Sequence, residues 1–305
     1  MESPASDEIP PGLPRLERRA RDTSKRDYGR VLVVGGSSGM AGAPALAGMA
    51  ALRAGAGLVE VVVPASVVAI AAGFDPCVMT HGLPADDEGG FAMAATDAIL
   101  ERAGRADVVA VGPGLGRSHA AGVLTARLWS DVPRPAVFDA DALWALSRLD
   151  RATLARHAGP RILTPHVGEL LRFIGRDGGL GRAALEEAAA TLAADIDAVV
   201  VLKGPDTLVT DGRRQGHNAS GNPGMATAGC GDVLTGVAAA LFCQPLAAGR
   251  AEPWDVARLA VWVHGRAGDV AAARVGEVSL VATDVVAGLP AAISAAVARR
   301  VPPSA

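Results

Sequence analysis

The sequence predicts a layered α/β domain with a parallel β-sheet at its centre. From residue 29 onward, short valine-rich runs alternate with alanine-rich stretches of helical character. The runs are apolar throughout, which is typical of strands that helices cover on both faces of a parallel sheet. Six runs follow this pattern: VLVVGG (31–36), LVEVVV (58–63), DVVAVG (107–112), AVFDA (136–140), RILTP (161–165) and AVVVLKG (198–204).

The two ends of the chain differ from this alternating region. Residues 1–27 are polar, charged and proline-containing, so we expect a flexible polar N-terminal arm followed by one domain over residues 28–305. After Gly212 we expect no further strands. Three later segments are instead predicted to be helices, at 233–242, 255–273 and 283–298.

Composition excludes several classes of protein. Half of the 305 residues are hydrophobic but only 3% are aromatic, which indicates a core of closely packed small aliphatic side chains. The net charge is -3 and the lysines and arginines are scattered, so neither a nucleic-acid nor a membrane partner is expected. No apolar run reaches the ~18 residues of a membrane helix, and the N-terminal sequence has no apolar segment typical of a secretion signal. The three cysteines are not spaced as in a disulfide framework or a structural zinc site. We therefore expect a cytoplasmic protein that acts on small molecules.

The residues that follow the predicted strands are the first candidates for function, because ligands of open α/β sheets bind beyond the carboxyl ends of the strands. Glycine-rich turns follow two of the runs, at 35–44 and at 112–116, and their N–H groups could face a ligand. The first turn does not spell GxGxxG, so a dinucleotide fold of the Rossmann type is only weakly indicated. Either turn could also be a simple strand-to-helix connection.

Charged side chains follow three other runs. We expect Asp141 to cap the helix that begins at Ala142, which leaves Asp139 as the freer carboxylate. His166 lies between a proline and a helix and is placed to touch a ligand. Metal binding there is not expected, because no second histidine or acid lies at a suitable spacing. Lys203, at the mouth of a buried strand, either contacts a phosphate or reaches solvent.

The segment MATAGCGD (225–232) carries the strongest chemical signal. Its small residues lead into a helix, and the free N–H groups at a helix N-terminus favour an anion such as phosphate. Asp232 lies in the same first turn, where an acid could simply complement the helix dipole. Beside a bound phosphate, however, a carboxylate is repelled unless it has a chemical role. Acting as general base for a hydroxyl group that attacks the phosphate is such a role. Since no P-loop or protein-kinase signature is present, phosphoryl transfer to a small hydroxyl compound is the leading hypothesis.

Taken together, these motifs resemble a known family. AGCGD is similar to the GxGD signature of the ribokinase-like superfamily, whose aspartate deprotonates the acceptor hydroxyl. The chain from about Tyr28 to Pro290 resembles the ADP-dependent NAD(P)H-hydrate dehydratases in six ordered segments: GAPALAGMAALRAGAGLVEV, VVAVGPGLG, VFDADAL, ILTPHVGEL, VVLKGPDTLV and NASGNPGMATAGCGDVLTG. The resemblance implies a ribokinase-like three-layer α/β/α sandwich with a central, mostly parallel sheet, formed by a single dehydratase domain.

The resemblance also implies a repair activity. Members of this family restore NADH or NADPH from the hydrated forms NADHX and NADPHX by phosphorylating the ring hydroxyl and then eliminating phosphate. Bacterial members use ADP and release AMP. Carried over by motif, the residues that bind the hydrated dinucleotide are Ala43, Gly114, His166 and Asp232, and Asp232 is the catalytic base. The nucleotide would contact Lys203, Gly204, Pro205, Asp206, Thr207 and Gly231, with Asn218, Asn222, Gly229 and Cys230 in the supporting loop.

Cofactors and partners follow from the same resemblance. Mg²⁺ is expected to bridge the phosphates mainly through water, without a metal site made by the protein, and ADP is consumed as the phosphoryl donor. The family also implies a homo-oligomer, possibly a tetramer. An epimerase domain is fused to some members, and we expect that companion NAD(P)H-hydrate epimerase on a separate chain.

Two departures and two rival hypotheses accompany this interpretation. Ala228 and Cys230 stand where family members usually have a glycine and a small hydroxyl residue, so turnover is weaker if that hydroxyl holds phosphate and unchanged if only N–H groups do. One rival is a ribokinase-like kinase of a small vitamin-precursor alcohol, which shares the Asp232 site but makes a stable phosphorylated product. The other is a nucleotide-binding module without turnover.

Overall fold

A single mostly parallel sheet forms the centre of the protein. The computed structural model describes residues 9–247 and 252–297. Within them the strands are β1 Arg30–Val34, β2 Leu58–Pro64, β3 Met79–Leu83, β4 Val108–Val111, β5 Ala136–Phe138, β6 Arg161–Leu163, β7 Val199–Leu202, β8 Thr207–Thr210 and β9 Gln215–Asn218. Their order across the sheet is β3-β2-β1-β4-β5-β6-β7-β8-β9. The strands from β3 to β7 in this order are parallel, and β8 and β9 are added antiparallel at one edge.

Helices cover both faces of this sheet. In the described residues they are α1 Gly42–Arg53, α2 Val68–Ala72, α3 Thr96–Arg105, α4 His119–Asp131, α5 Asp141–Leu146, α6 Arg151–Leu154, α7 Val167–Phe173, α8 Arg182–Ile196, α9 Cys230–Phe242, α10 Pro253–Val275 and α11 Ala282–Ala296. The helices α1, α9, α10 and α11 pack on one face, and α3, α4, α5, α7 and α8 pack on the other.

Alternation along the strands fills the two cores. Val31 and Val33 of β1 belong to the core with α9 and α10, whereas Leu32 and Val34 belong to the core with α3 and α4. Since successive side chains of a strand point to opposite faces, a strand buried on both sides must be apolar at every position. This is why the valine runs predicted the sheet, and the predicted three-layer sandwich with a central, mostly parallel sheet is confirmed.

The predicted elements agree with the structure except in three places. All six apolar runs contain strands, and the first two late helices lie within α9 and α10. The third lies on α11, although its final residue, 298, falls outside the described residues. The expectation of no strand after Gly212 is wrong, because β9 follows it. β3 and β8 were also missed: β3 has a polar, half-exposed pattern, and β8 follows β7 after a short turn.

The described part of the N-terminal segment lies against the helical layer. Ile9 and Leu16 are both buried, and Leu16 bridges to Leu246 and Val297. Two apolar side chains therefore hold this segment to the core with α9, α10 and α11. The division into an arm over 1–27 and one domain over 28–305 stays a prediction.

Among the described residues, no helix is both long and apolar enough to span a bilayer.

Candidate active site

The predicted site residues lie at the carboxyl ends of the central parallel strands. Ala43 lies in the first turn of α1 after β1, Gly114 follows β4, Asp139 follows β5, His166 follows β6, and Lys203 follows β7. These five strands are neighbours in the order β1-β4-β5-β6-β7 and are parallel, so their carboxyl ends meet along one line. The helix α9, which carries Asp232, packs against β1, β4 and β5. The sheet therefore brings loops that are distant in sequence to the first turn of α9.

A buried ion pair lies at the centre of this edge. Lys203 Nζ donates to Asp139 Oδ1 over 2.7 Å, and the Thr235 hydroxyl donates to the second oxygen, Oδ2, over 2.8 Å. Asp139 is 1% exposed and Thr235 is fully buried. Burial lowers the pKa of Lys203, but Asp139, Glu169 and Asp232 together raise it above its ordinary value. Lys203 is therefore a protonated ammonium bound inside the site, and neither solvent nor a phosphate is needed to explain its position.

Two groups on α7 border this pair. His166 is the N-cap of α7: its Nδ1 accepts from the Gly168 N–H over 2.9 Å, so its Nε2 carries the proton when the ring is neutral. Burial and the Lys203 charge lower the pKa of His166. Glu169 closes the capping box and lies 3.9 Å from Lys203 Nζ, and burial raises the pKa of its carboxyl group. His166 thus offers one N–H to the edge of the sheet.

Asp232 has the electrostatics of a general base. Burial and the neighbouring carboxylates of Asp139 and Asp141 raise the pKa of Asp232 to about 7, although Lys203 acts in the opposite direction. A base with a pKa near 7 is half ionised at neutral pH and still binds a proton well, which is what proton abstraction from a hydroxyl group requires. Its side chain accepts no hydrogen bond from the described residues.

Gly231 joins Asp232 to the ion pair. A Cβ placed on Gly231 would lie 3.4 Å from Lys203 Nζ and 3.5 Å from Asp139 Oδ2. A side chain at this position would therefore extend over the ion pair, into the space beside the first N–H groups of α9. Those N–H groups and the Lys203 ammonium together favour an anion at this place.

A cavity of about 520 Å³ opens on one side of this helix terminus. Its lining includes Lys203, Gly204, Pro205, Thr207, Asn218, Asn222, Cys230 and Gly231. Five of these were predicted from the sequence to contact the nucleotide and three, Asn218, Asn222 and Cys230, to lie in its supporting loop; the structure brings all eight into one cavity. Asp206 is not among the lining residues, because its carboxylate turns to His217 Nδ1 at 2.9 Å. Gly229, the N-cap of α9, packs instead against Leu46 and Ala282.

The far wall of the cavity is a loop fastened to α10. Asp269 accepts from the Gly221 N–H and from Asn222 Nδ2, both at 3.1 Å. Asn218 Nδ2 donates to the Val261 carbonyl at 3.3 Å. These bonds explain why two asparagines stand in the glycine-rich stretch: they fix its shape through their side chains. Sequence reasoning missed Asp269, although its carboxylate binds two adjacent residues of the loop, Gly221 and Asn222.

Gly114 and Ala43 lie close together outside the lining of this cavity. Gly114 has a φ of 61°, which favours glycine, and a Cβ there would lie 2.7 Å from the Met40 carbonyl oxygen and 3.3 Å from Ala43 Cβ. The turns after β1 and β4 therefore touch at these two residues. Neither residue lines the 520 Å³ cavity, and the helix that carries Ala43, α1, packs against α9.

The prediction that Asp141 caps its helix is wrong. The helix begins at Asp141 itself, its N-cap is Ala140, and no side chain caps it. Asp141 instead accepts from the Gly116 N–H over 3.0 Å and from Arg117 Nε over 2.9 Å. Ala140 has a φ of 49°, an unusual value for a residue with a side chain, and it turns the two flanking carboxylates apart. Asp141 therefore fixes the GPGLG turn, while Asp139 faces Lys203.

Cys230 and His264 form the base of the cavity. Cys230 is 5% exposed, and burial raises the pKa of its thiol to about 11, so the sulfur is not ionised at neutral pH. His264 Nε2 lies 2.9 Å from the Cys230 carbonyl oxygen and must donate to it. Burial lowers the pKa of His264 to about 4, which keeps the ring neutral. A neutral histidine from α10, missed by sequence reasoning, thus supports the first residue of α9.

The described residues contain no group of three or more His, Cys, Asp and Glu side chains that could hold a metal ion. The carboxylate of Asp139 is already occupied by Lys203 and Thr235. A magnesium ion at this edge would fit only if phosphate oxygens and water supplied most of its ligands.

Comparison with known proteins agrees with this geometry. The model of a family described as NAD(P)H-hydrate dehydratase matches residues 31–291. The chain is 44% identical over 277 residues to the bifunctional NAD(P)H-hydrate repair enzyme of Moorella thermoacetica, covering 90% of this chain and 51% of that protein. It is 38% identical over 260 residues to the ADP-dependent (S)-NAD(P)H-hydrate dehydratase of Neisseria meningitidis serogroup B, covering 84% and 81%. The chain thus spans about half the length of the first relative.

A solved structure shares the architecture. The ADP/ATP-dependent NAD(P)H-hydrate dehydratase of Bacillus subtilis, co-crystallised with ATP and Mg²⁺, superimposes with a TM-score of 0.75 at 25% identity, covering 93% of this chain and 98% of that one. Structures of the ribokinase-like superfamily have the same fold, so the predicted ribokinase-like sandwich is confirmed.

Proposed function

The chain belongs to the NAD(P)H-hydrate dehydratase family, and from this premise we propose that it restores NADH and NADPH from their hydrated forms with ADP as the phosphoryl donor. The observation that carries the proposal is the position of Asp232. Its carboxylate, with a pKa of about 7, lies in the first turn of α9, which lines a nucleotide-sized cavity through Cys230 and Gly231 and packs against α1, the helix that carries Ala43. One ligand in the cavity and one at the Gly114 and Ala43 turns would meet at this carboxylate.

The first step of the proposed reaction is phosphoryl transfer. Asp232 takes the proton of the ring hydroxyl, and the hydroxyl oxygen forms a bond to the β-phosphorus of ADP. The bond between that phosphorus and the bridging oxygen breaks, and AMP leaves with the electron pair. The Lys203 ammonium and the first N–H groups of α9 lie where negative charge develops on the transferred group.

The second step is elimination. A hydroxyl group leaves poorly, whereas the phosphate now attached to the ring carbon leaves well. The lone pair of the ring nitrogen forms a double bond to that carbon as the carbon–oxygen bond breaks. The neighbouring carbon then loses a proton to solvent, the electron pair of its C–H bond forms the carbon–carbon double bond, and the C=N pair returns to the nitrogen. The products are NADH or NADPH, phosphate and AMP. The protein's part is to hold the ring beside Asp232. His166 Nε2–H and the Gly114 turn would position the ring there.

The cavity supports a nucleoside diphosphate as the second ligand. The turn from Lys203 to Thr207 is closed by the Thr207 hydroxyl, which donates to the Gly204 carbonyl at 2.9 Å. This turn and the Asn218–Asn222 loop face each other across the cavity. A Mg²⁺ ion, held by the phosphates and by water, would neutralise phosphate charge. Cytoplasmic location and a homo-oligomer such as a tetramer are further parts of the proposal.

The test is recovery of NADH. Purified protein is incubated with hydrated NADH, Mg²⁺ and either ADP or ATP, and the absorbance of regenerated NADH is followed. The same protein is offered a thiazole alcohol with each nucleotide, and nucleotide binding is measured separately by calorimetry.

The three hypotheses give different results. Recovery of NADH with ADP, together with release of AMP and phosphate, supports the dehydratase. Phosphorylation of the alcohol without any recovery would favour the vitamin-precursor kinase. Nucleotide binding without turnover of either compound would favour a binding module.

A further inference from the structure

Lys203, the lysine beside Asp232, lines the nucleotide cavity. Lys203 is neutralised by Asp139 at 2.7 Å and lies 3.9 Å from Glu169. Asp232 and Asp141 add two further carboxylates to the same neighbourhood. A hydrated dinucleotide carries its own phosphate charges, so the side of α9 that receives it needs a separate cation.

Arg117 is the cation that the strand ends supply. The loops that leave β1, β4, β5 and β6 span 35–41, 112–118, 139–140 and 164–166, and Arg117 is the only lysine or arginine in them. It follows directly on the GPGLG turn, three residues after Gly114. The edge that faces the dinucleotide therefore has one arginine, adjacent in sequence to the glycine turn.

Arg117 is held at one nitrogen and open at the others. Its Nε donates to Asp141 Oδ1 over 2.9 Å, and the side chain is 53% exposed. Asp141 also accepts the Gly116 N–H, so the guanidinium is fixed relative to the turn. Within the described residues, neither Nη1 nor Nη2 of Arg117 has a hydrogen-bond partner. A guanidinium oriented through Nε presents its two terminal nitrogens as a pair, which matches two oxygens of a phosphate.

A second arginine stands beside the first on an indole ring. The Cζ atoms of Arg117 and Arg148 lie 5.7 Å and 5.1 Å from the ring centre of Trp144. Arg148 is exposed, and the described residues give its side chain no ion pair or hydrogen bond. Both guanidinium groups thus contact one half-buried tryptophan on α5, one turn beyond Asp141.

We propose that Arg117, assisted by Arg148, binds a phosphate group of the hydrated dinucleotide. The inference rests on the proposed function and extends it, since it assigns a subsite on the dinucleotide side of α9. The phosphate is either the pyrophosphate, present in both hydrates, or the 2′-phosphate, present only in hydrated NADPH.

The test compares Michaelis constants of variants. Arg117→Ala and Arg148→Ala are assayed with hydrated NADH and with hydrated NADPH at saturating ADP, beside Arg156→Ala as the control. Arg156 is an exposed arginine that precedes β6. It therefore lies near the amino ends of the parallel strands, away from the site at their carboxyl ends. For Arg117→Ala we expect KM for the hydrate to rise about tenfold, with kcat and KM for ADP changed less than about twofold. For Arg148→Ala we expect a smaller rise, and for Arg156→Ala none.

The two hydrates identify the phosphate. An equal rise for both hydrates indicates the pyrophosphate, and a rise for hydrated NADPH alone indicates the 2′-phosphate. Because Arg117→Ala also releases Asp141, the same substitution is made in an Asp141→Asn background. If the rise in KM disappears there, Arg117 acts through Asp141 and the inference is overturned.

Failure of this inference is distinct from failure of the proposed function. If the unmodified protein recovers no NADH from either hydrate, the proposed function is wrong. If the unmodified protein recovers NADH, but Arg117→Ala has an unchanged KM for both hydrates, the phosphate subsite is refuted and the dehydratase function stands.

Discussion

Lys203 Nζ lies 2.7 Å from Asp139 Oδ1, and this contact links β7 to β5 across the carboxyl end of β6. The pair is enclosed by Thr235 from α9 and Glu169 from α7. It therefore fastens α7 and α9 to the sheet, beside Gly231. Loss of either partner would leave the other charge without its nearest counter-charge.

Removing Asp139 should destabilise the protein more than removing the hydroxyl that also binds it. For Asp139→Asn we expect a loss of about 3 kcal/mol in the free energy of unfolding, because Lys203, whose side chain is only 22% exposed, loses its nearest counter-charge. For Thr235→Val we expect a loss of about 1 kcal/mol, since one hydrogen bond is lost and the shape is kept. Urea unfolding measures both. A loss in Asp139→Asn smaller than in Thr235→Val would show that the ion pair is not a structural link.

The pH dependence of turnover should report Asp232. Since the ionised carboxylate is the base, kcat/KM should rise with pH and level off above the pKa of Asp232, at about 7. Asp141 helps to raise that pKa, so Asp141→Asn removes a negative charge and should move the rising limb to lower pH.

The control for this shift is Asp211→Asn, in the turn between β8 and β9 at the edge of the sheet. The ionisation of ADP is the same for all of the proteins, so a difference between them reports the enzyme. An identical limb in Asp141→Asn and the unmodified protein would contradict the assignment of the limb to Asp232.

Asp269 should control nucleotide affinity without touching the nucleotide. Asp269→Ala removes the acceptor of the Gly221 N–H and of Asn222 Nδ2, so the wall of the cavity loses its anchor on α10. We expect KM for ADP to rise about tenfold while KM for the hydrate and kcat stay within about twofold. Asp255→Ala, on the same helix outside the loop, is the matched control. Equal KM values for ADP in the two variants would refute this role.

Cys230 should be nearly neutral to turnover. Its side chain is buried and its thiol, with a pKa of about 11, carries no charge, so the N–H groups of the first turn are the groups available to phosphate. Cys230→Ser should therefore change kcat by less than about threefold, measured with hydrated NADH and ADP. A tenfold or larger rise of kcat in Cys230→Ser would show that a hydroxyl at this position holds phosphate, and that the cysteine lowers turnover.

The sequence predicted the centre of the fold better than its edges. Strands buried on both faces, such as β1 and β4, are recognisable in the sequence as continuous apolar runs. The edge strands β3 and β9 are covered less and contain polar residues, so their pattern is that of loops. Their strand conformation depends on pairing with a neighbour, which no local pattern of residues contains.

Motifs predicted which residues meet, but not how they are bonded. The cavity unites Lys203 with Gly231, as the motifs indicated, yet the hydrogen bond from Thr235 to Asp139 crosses 96 residues of sequence. The capping role expected for Asp141 failed because Arg117 and Gly116, from another loop, compete for its carboxylate. His264 and Asp269 lie on a helix whose pattern shows only burial, so their polar roles were invisible.

The turnover of Asp232→Asn tests the central claim most directly. Single-turnover recovery of NADH from the hydrate is measured with saturating ADP, and the Kd for ADP is measured on the same protein. The account predicts a rate lower by about 10²- to 10⁴-fold, because asparagine cannot accept the hydroxyl proton, with a Kd changed by less than about threefold. A near-normal rate in Asp232→Asn would contradict the assignment of Asp232 as the base.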